Sequence, residues 1–505
     1  MPGSLTHRCF FSVTMLCIIP LSALGAGKLK DTTQAGEVRV TVEANRILGQ
    51  ISKYLTGFNI VYSETTDDLR SSGEIAAYLR NMDAGILRFP GGEVIDYYHY
   101  SSPNYRRYKD IWQTDPNSKK DYTTAADLDS NVMDVNEFLA WCGRIGAEPM
   151  LGINIESGLL FGRINDSLKE AADIVKYCNV TNDYNVKYWY LSNETYGVNS
   201  SHYSMTVKEY AEQIRTFSQA IWAVDPNIKL IVNWENKLSE PNYWAQWEYL
   251  IEQAGAYFDI ADVHWYWDNG RTNWDNWLAE NPMKSRLWCK DCNGPDNRYL
   301  GPTYAEEIRR FHKKIEEMGH DIRLVSLEWN IGRNFKAPPS PFQCALMQSE
   351  MLGQFIEGGL HMATMWPFIW QGRQENRFFL NDQTYKPRPT YEVFRMYKNV
   401  LGQQLVPSQT SIANVHSVSG LSLDGKTLWV YLLHKSGQDQ TITAKVDVDG
   451  FVPVRAEAIT FTAPKLSAEQ GYIRKLTIGL DRKSGQWQTS LPAHSLTMFT
   501  FHKAQ

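Results

Sequence analysis

Val186-Lys187-Tyr188-Trp189-Tyr190-Leu191-Ser192-Asn193-Glu194 and Arg323-Leu324-Val325-Ser326-Leu327-Glu328-Trp329-Asn330 are short apolar runs that each lead into a glutamate. An apolar run of four to eight residues between polar neighbours is how a strand buried on both faces reads. Six more runs of this kind stand at 55–60, 85–89, 148–153, 229–233, 260–264 and 361–365. Between them lie stretches with apolar residues at helical spacing, including 132–145, 168–178, 207–223, 243–254, 304–318 and 342–357. Such alternation implies parallel strands joined by helical crossovers, and eight strands close a cylinder. The expected fold is α/β: a (β/α)8 TIM barrel over residues 51–400. An open doubly wound sheet fits some of these units, but no Gly-rich dinucleotide fingerprint follows the first strand.

Beyond residue 400 the pattern changes. Segments 427–433, 441–448, 455–462, 473–478 and 495–501 alternate apolar and polar residues between turn signals such as Asp424-Gly425, which predicts a C-terminal antiparallel β-sandwich domain over 401–505. Residues 37–44 alternate in the same way, so the segment 37–50 is expected to join that sandwich. At the other end, His7 and Arg8 precede an apolar run to Leu24 and the small residues Gly25 and Ala26. Residues 1–26 therefore read as a cleavable signal peptide, with a secreted or periplasmic location. The run is short for a membrane anchor and holds Pro20; no later segment is long and apolar enough to span a bilayer.

Five cysteines remain after residue 26, none with a His partner at zinc-finger spacing, although Cys289 and Cys292 are close enough for a local disulfide. The net charge of −5 and the lack of a long basic run exclude nucleic acid as a natural partner. A metal-dependent hydrolase would need clustered His or Asp at strand ends. Only His264 and His361 lie near them, on separate strands, so neither metal nor cofactor is expected.

Sites in such barrels form at the C-terminal ends of the strands. Glu194 closes the fourth strand and Glu328 the seventh, and these strands face each other across the mouth. Glycosidic cleavage needs such a pair, one carboxyl to protonate the departing oxygen and one to meet the oxocarbenium-like centre. The expectation is a glycoside hydrolase whose two working carboxyls are Glu194 and Glu328.

At these residues the sequence resembles clan A of the retaining glycoside hydrolases, whose signature is Asn-Glu after strand four, here Asn193-Glu194, and a nucleophile glutamate after strand seven, here Glu328; the resemblance implies Glu194 as general acid/base and Glu328 as nucleophile. Leu87-Arg88-Phe89-Pro90-Gly91-Gly92, Gly146-Ala147-Glu148-Pro149-Met150-Leu151, Glu170-Ala171-Ala172-Asp173, Lys187-Tyr188-Trp189 and Glu328-Trp329-Asn330 are similar to the α-L-arabinofuranosidase family of that clan. The resemblance implies that Asn193 bonds the sugar 2-hydroxyl, Arg88 orients the nucleophile, Tyr266 touches it, and Trp366 underlies the scissile sugar. His264, Glu93 and Trp329 complete the expected substrate-binding set. For Arg88 a structural ion pair, for His264 a satisfied core histidine and for Asn193 a glycosylation sequon are the competing readings.

Three features depart from the family pattern: Ser192 stands where a Gly is usual, Glu93 where an Asn is usual, and the carboxylate after the first strand arrives late, at Glu64. These weaken an exo-furanosidase reading and leave β-agarases and β-porphyranases of the clan as the alternative, with a non-catalytic carbohydrate-binding barrel behind them. The aromatics of 96–100 and 105–108, with Trp267, Trp274, Trp277 and Trp288, all follow strands, which predicts a cleft of several subsites. A polysaccharide or oligosaccharide partner is expected, and Arg106, Arg107 and Lys109 could meet its anionic groups.

Overall fold

The computed structural model describes residues 36–101, 110–113, 131–197, 203–268, 272–285, 301–436, 440–481 and 484–504. The segment 1–26, Cys289, Cys292, Trp288, the aromatics of 105–108, Arg106, Arg107 and Lys109 lie outside them. Eight parallel strands close a barrel in chain order: Gly57–Asn59, Ile86–Phe89, Glu148–Ile153, Tyr188–Leu191, Lys229–Asn233, Ile260–Trp267, Arg323–Ile331 and Met362–Met365. Thr364 pairs back onto Gly57 to seal the cylinder. Each strand falls on an expected segment, and the barrel with its additional sheets is the predicted fold class.

Local chemistry sets the helix starts. Asp134 with Glu137, Thr206 with Glu209, Thr303 with Glu306 and Ser340 with Gln343 form capping boxes, each side chain bonding the other residue's backbone N–H. The first of these four helices thus begins at Val135, three residues later than its apolar pattern suggests.

Two sheets follow the barrel. One orders the strands Ser408–Thr410, Glu37–Glu43, Ile442–Asp449, Gln486–Leu491 and Gly479–Asp481; the other runs from Tyr472–Leu476 through Arg455–Thr462, Ser495–His502, Thr427–His434, Val415–Leu421 and Gln404–Val406 to Gly49–Gln50. The N-terminal strand pairs antiparallel with 408–410 but parallel with 442–449, so the sandwich is not purely antiparallel. Its own core is aliphatic and aromatic, including Val38, Val40, Val430, Leu432, Val446 and Phe499. Against the barrel, Tyr431 stacks on Tyr397 at 4.6 Å, and Lys435 enters a buried ion pair with Glu350 at 2.9 Å. Among the described residues, no helix is long and apolar enough to cross a membrane.

Candidate active site

Side chains alternate between faces along a strand, so residues two apart share a face. On strand six this aims Asp262, His264 and Tyr266 into the barrel and turns Trp265 outward, onto Phe355 and Tyr304 of the helical layer. The same rule on strand seven points Glu328 inward and its neighbour Trp329 outward. Trp329 is fully buried against Phe355 and Phe394 and does not reach the mouth, which corrects its expected place in substrate binding.

Glu194 and Glu328 meet across the opening. A carboxylate oxygen of each, together with Nδ1 of His264, lie within 4.8 Å of one another. Glu328 is almost fully enclosed: its Oε1 accepts from Arg88 Nη1 at 3.1 Å and its Oε2 from the Tyr266 hydroxyl at 2.7 Å. Burial raises its pKa, while His264, Arg88 and the Tyr266 hydroxyl pull the other way. Glu194 is two-fifths exposed at its side chain, with Oε1 at 2.7 Å from His264 Nδ1. An open carboxyl facing an enclosed one suits a group that meets solvent opposite a group that must not.

Arg88 is buried and holds the floor. Its Nη2 donates to Asn193 Oδ1 at 2.7 Å, its Nη1 to Asn59 Oδ1 at 3.0 Å, and its guanidinium lies 4.2 Å over the Tyr190 ring. It is thus a structural anchor of the barrel and a direct partner of Glu328 at once. Asn193 is 3% exposed, too enclosed for glycosylation.

His264 is more than a packed histidine. Its Nε2 lies 3.0 Å from Asp262 Oδ2, and Asp262 is itself fixed by the Asn233 amide and the Leu327 N–H. Burial alone would lower the imidazole pKa, but Glu328, Asp262 and Glu194 outweigh it and lift it to about 10. The ring is an imidazolium donating from both nitrogens. Glu194, His264 and Glu328 are also the one grouping with metal-ligand spacing among the described residues, and a divalent ion there would have to displace the Nδ1 proton.

The backbone at the site is strained. Ser192 and Glu194 sit at φ +52° and +45°, a left-handed conformation that costs an L-residue about 1–2 kcal/mol. Ser192 occupies the position where a Gly is usual, and its hydroxyl accepts the Ile155 N–H at 3.1 Å. Gly92 has φ +54°, and a Cβ there would come within 2.5 Å of the Trp366 ring and 3.0 Å of Glu328 Oε1. Trp366 therefore lies at Glu328, and Trp370 packs edge-on against it at 5.7 Å.

Glu93 follows Gly92 in a short helical turn over Gly92–Asp96 and is half-buried. It stands beside two carboxyls that the sequence did not single out, Asp96 and Glu156. Asp96 accepts the Asn193 N–H at 3.2 Å and Glu156 the Tyr203 N–H at 3.1 Å. Burial, foremost, drives both pKa values up, Glu156 to about 8. Between about pH 4.5 and 8 the unfolded chain has released the Glu156 proton that the folded chain keeps, so stability falls as pH rises through that window, by up to about 1.4 kcal/mol per pH unit. Glu156→Gln removes this dependence. Its thermal midpoint is expected to exceed that of wild type by a margin that widens from pH 5 to pH 8; a constant margin would refute the assignment.

Several aromatics expected at the cleft lie elsewhere. Trp267 and Trp277 are buried, their indole N–H groups donating to Glu280 at 3.2 Å and Glu350 at 2.6 Å. Trp274 packs on Trp277 and on His494 of the sandwich. Tyr97 and Tyr98 are buried as well, Tyr98 against Phe89 and Tyr62. Trp267, Trp274 and Trp277 serve the seam under the sandwich, and Tyr98 packs against the barrel. Glu64 turns to the strand-eight loop, accepting the Gln371 N–H at 2.6 Å.

The profile of the Alpha-L-arabinofuranosidase 1 domain matches residues 78–281. An intracellular exo-alpha-(1->5)-L-arabinofuranosidase of Acetivibrio thermocellus is 22% identical over 278 residues, 48% of this chain and 51% of that one. Alpha-L-arabinofuranosidase C of Emericella nidulans is 29% identical over 215 residues, 38% of this chain and 40% of the relative. The chain thus spans about half the length, or less, of these curated relatives. A thermostable alpha-L-arabinofuranosidase from Thermotoga petrophila superposes with a TM-score of 0.67 at 17% identity, covering 92% of this chain and 99% of the other. In sequence over much of its barrel, and in fold over nine-tenths of its length, the chain resembles the arabinofuranosidases of glycoside hydrolase clan A.

Proposed function

We propose that this chain is a retaining glycoside hydrolase of α-L-arabinofuranosidase type, secreted or periplasmic, that cleaves a plant or algal polysaccharide by double displacement. The observation that carries the reading is the approach of Glu194 and Glu328 to within 4.8 Å. Retaining enzymes hold their carboxyls about 5–5.5 Å apart, too close for a water between them, whereas inverting enzymes need about 6.5–9.5 Å.

In the first step Glu328 attacks the anomeric carbon as the glycosidic C–O bond breaks, and Glu194 delivers a proton to the departing oxygen. That proton is supplied across the Glu194–His264 contact, with Asp262 steadying the ring from behind. Forming the ester removes the charge of Glu328, one of the charges that hold the imidazolium proton, so His264 gives it up more readily at this stage. In the second step Glu194 takes a proton from water and returns it to His264, while the water oxygen attacks the same carbon and frees Glu328. Asn193 and the Trp366 ring position the sugar.

The stereochemistry of the first product tests this. Proton NMR during early turnover is expected to show the anomer of the substrate before mutarotation scrambles it; the opposite anomer would rule the mechanism out. Ser192, Glu93 and the engagement of Glu64 by Gln371 favour a second reading for substrate, endo-cleavage of a β-linked galactan as by β-agarases and β-porphyranases. Free arabinose from arabinan or arabinoxylan supports the first, oligosaccharides from agarose or porphyran the second.

A further inference from the structure

The strand-seven and strand-eight loops make one wall of the mouth, and it is basic. Residues 332–340 and 366–389 hold six Lys and Arg against two acidic residues in a chain whose net charge is −5; Arg377 and Arg388 are buried, which leaves Arg333, Lys336, Arg373 and Lys386 on the surface of this wall. Glu375, one of the two acids, is already engaged by Arg377 at 2.7 Å and Arg333 at 3.7 Å. Arg373 is different. It is exposed, its guanidinium lies 4.8 Å over the Trp370 ring, and no carboxylate among the described residues pairs with it.

The connection to the reacting centre is short. Trp366 abuts Glu328 across Gly92, Trp370 packs on Trp366, and Arg373 stacks on Trp370. Gln371 ties this turn to the strand-one loop, its backbone N–H donating to Glu64 at 2.6 Å and its side-chain amide to the Glu64 carbonyl at 3.3 Å. An arginine resting over an indole has part of its side-chain freedom removed before a ligand arrives, and its fork of donors matches the paired oxygens of a sulfate or carboxylate.

We propose that Arg373, on Trp370, forms a subsite for an anionic substituent, a sulfate ester or a uronate carboxylate, on a sugar neighbouring the cleavage point. This rests on the glycosidase reading and narrows its substrate class to charged polysaccharides. Lys336, exposed on the strand-seven loop, adds long-range attraction for the same chain.

Binding can be measured apart from cleavage. Affinity electrophoresis of full-length Glu328→Gln protein is run in porphyran and in its chemically desulfated form, then in arabinoxylan with and without glucuronate branches. Tighter binding to one charged polymer than to its neutral counterpart, by about tenfold, is expected and identifies sulfate or carboxylate as the group read. Arg373→Met keeps an apolar stem on Trp370 and should weaken the charged polymer at least fivefold more than the neutral one, with Arg373→Lys recovering part of the difference. Equal affinity for both members of each pair, or a charge preference that survives Arg373→Met, overturns the subsite. If the preference is present and the wild-type protein cleaves none of the polymers, the glycosidase reading fails while the subsite stands.

Discussion

Glu328→Ala is expected to lower turnover by on the order of 10^4-fold or more, and added azide to restore it with a glycosyl azide of inverted configuration as the product. The geometry gives the reason. Glu328 is enclosed by Arg88, Tyr266 and Gly92, so truncation to Ala opens a small pocket bordered by two donors that suits a small anion. Azide arriving there meets the sugar from the side Glu328 would have attacked, and no second displacement follows. Glu194→Ala should behave oppositely. It stalls the reaction unless the leaving group is good, and azide entering on that more open side intercepts the glycosyl-enzyme to give a retained product. Two variants with azides of opposite configuration would separate the roles of the two carboxyls; the same configuration from both, or wild-type turnover by Glu328→Ala, would reject the assignment.

The barrel was legible because both faces of its strands are buried, which leaves short apolar runs that stand out from the amphipathic helices between them. Glu194 and Glu328 were legible because they interrupt that pattern at strand ends. Trp329 was misplaced because adjacency to a site residue was read as membership, although one step along a strand reverses the face. Applied to strand six, the same period of two would have found Asp262 from His264 and Tyr266. Trp267 and Trp277 follow a strand at the mouth, and only the position of the sandwich reveals that they are covered. Asp96 and Glu156 come from different loops, and nothing in either local sequence signals that the fold buries them together. The short strands at 404–406, 408–410 and 415–421 carry Ser, Gln, Thr and Gly in weak alternation; neighbours on both sides define the first and third, and pairing with the N-terminal strand defines the second, better than their own residues do.

Lys435→Met is expected to destabilise the fold by about 3–5 kcal/mol, far more than loss of a surface lysine. The Lys435 and Glu350 side chains are 0% and 1% exposed, one from the sandwich and one from the helix Pro341–Gly358 on the barrel. Burial alone would raise the Glu350 pKa, yet Lys435, ahead of His416, pulls it below the usual carboxylate value; burial lowers the Lys435 pKa in turn and Glu350 at 2.9 Å opposes that, so each charge depends on the other. Removing only the ammonium leaves a buried carboxylate facing two neutral donors, the Trp277 indole at 2.6 Å and the Met283 N–H at 2.6 Å, and the His416 imidazole at 3.5 Å, whose own burial lowers its pKa and so opposes its taking up the missing charge. Lys435→Met combined with Glu350→Gln removes both charges and should recover most of the loss, as equilibrium denaturation of the four proteins would measure. Failure of the double variant to recover would locate the cost in packing around Trp277, over which the Lys435 ammonium lies at 4.6 Å. The consequence extends to the site, because Glu350 anchors residues 277–283 of the strand-six loop, and Glu280 within that stretch bonds Trp267, next to Tyr266. In the single variant, therefore, kcat should fall along with stability under conditions where the protein remains folded, since the strand that carries Tyr266 and His264 loses a support of its outer end.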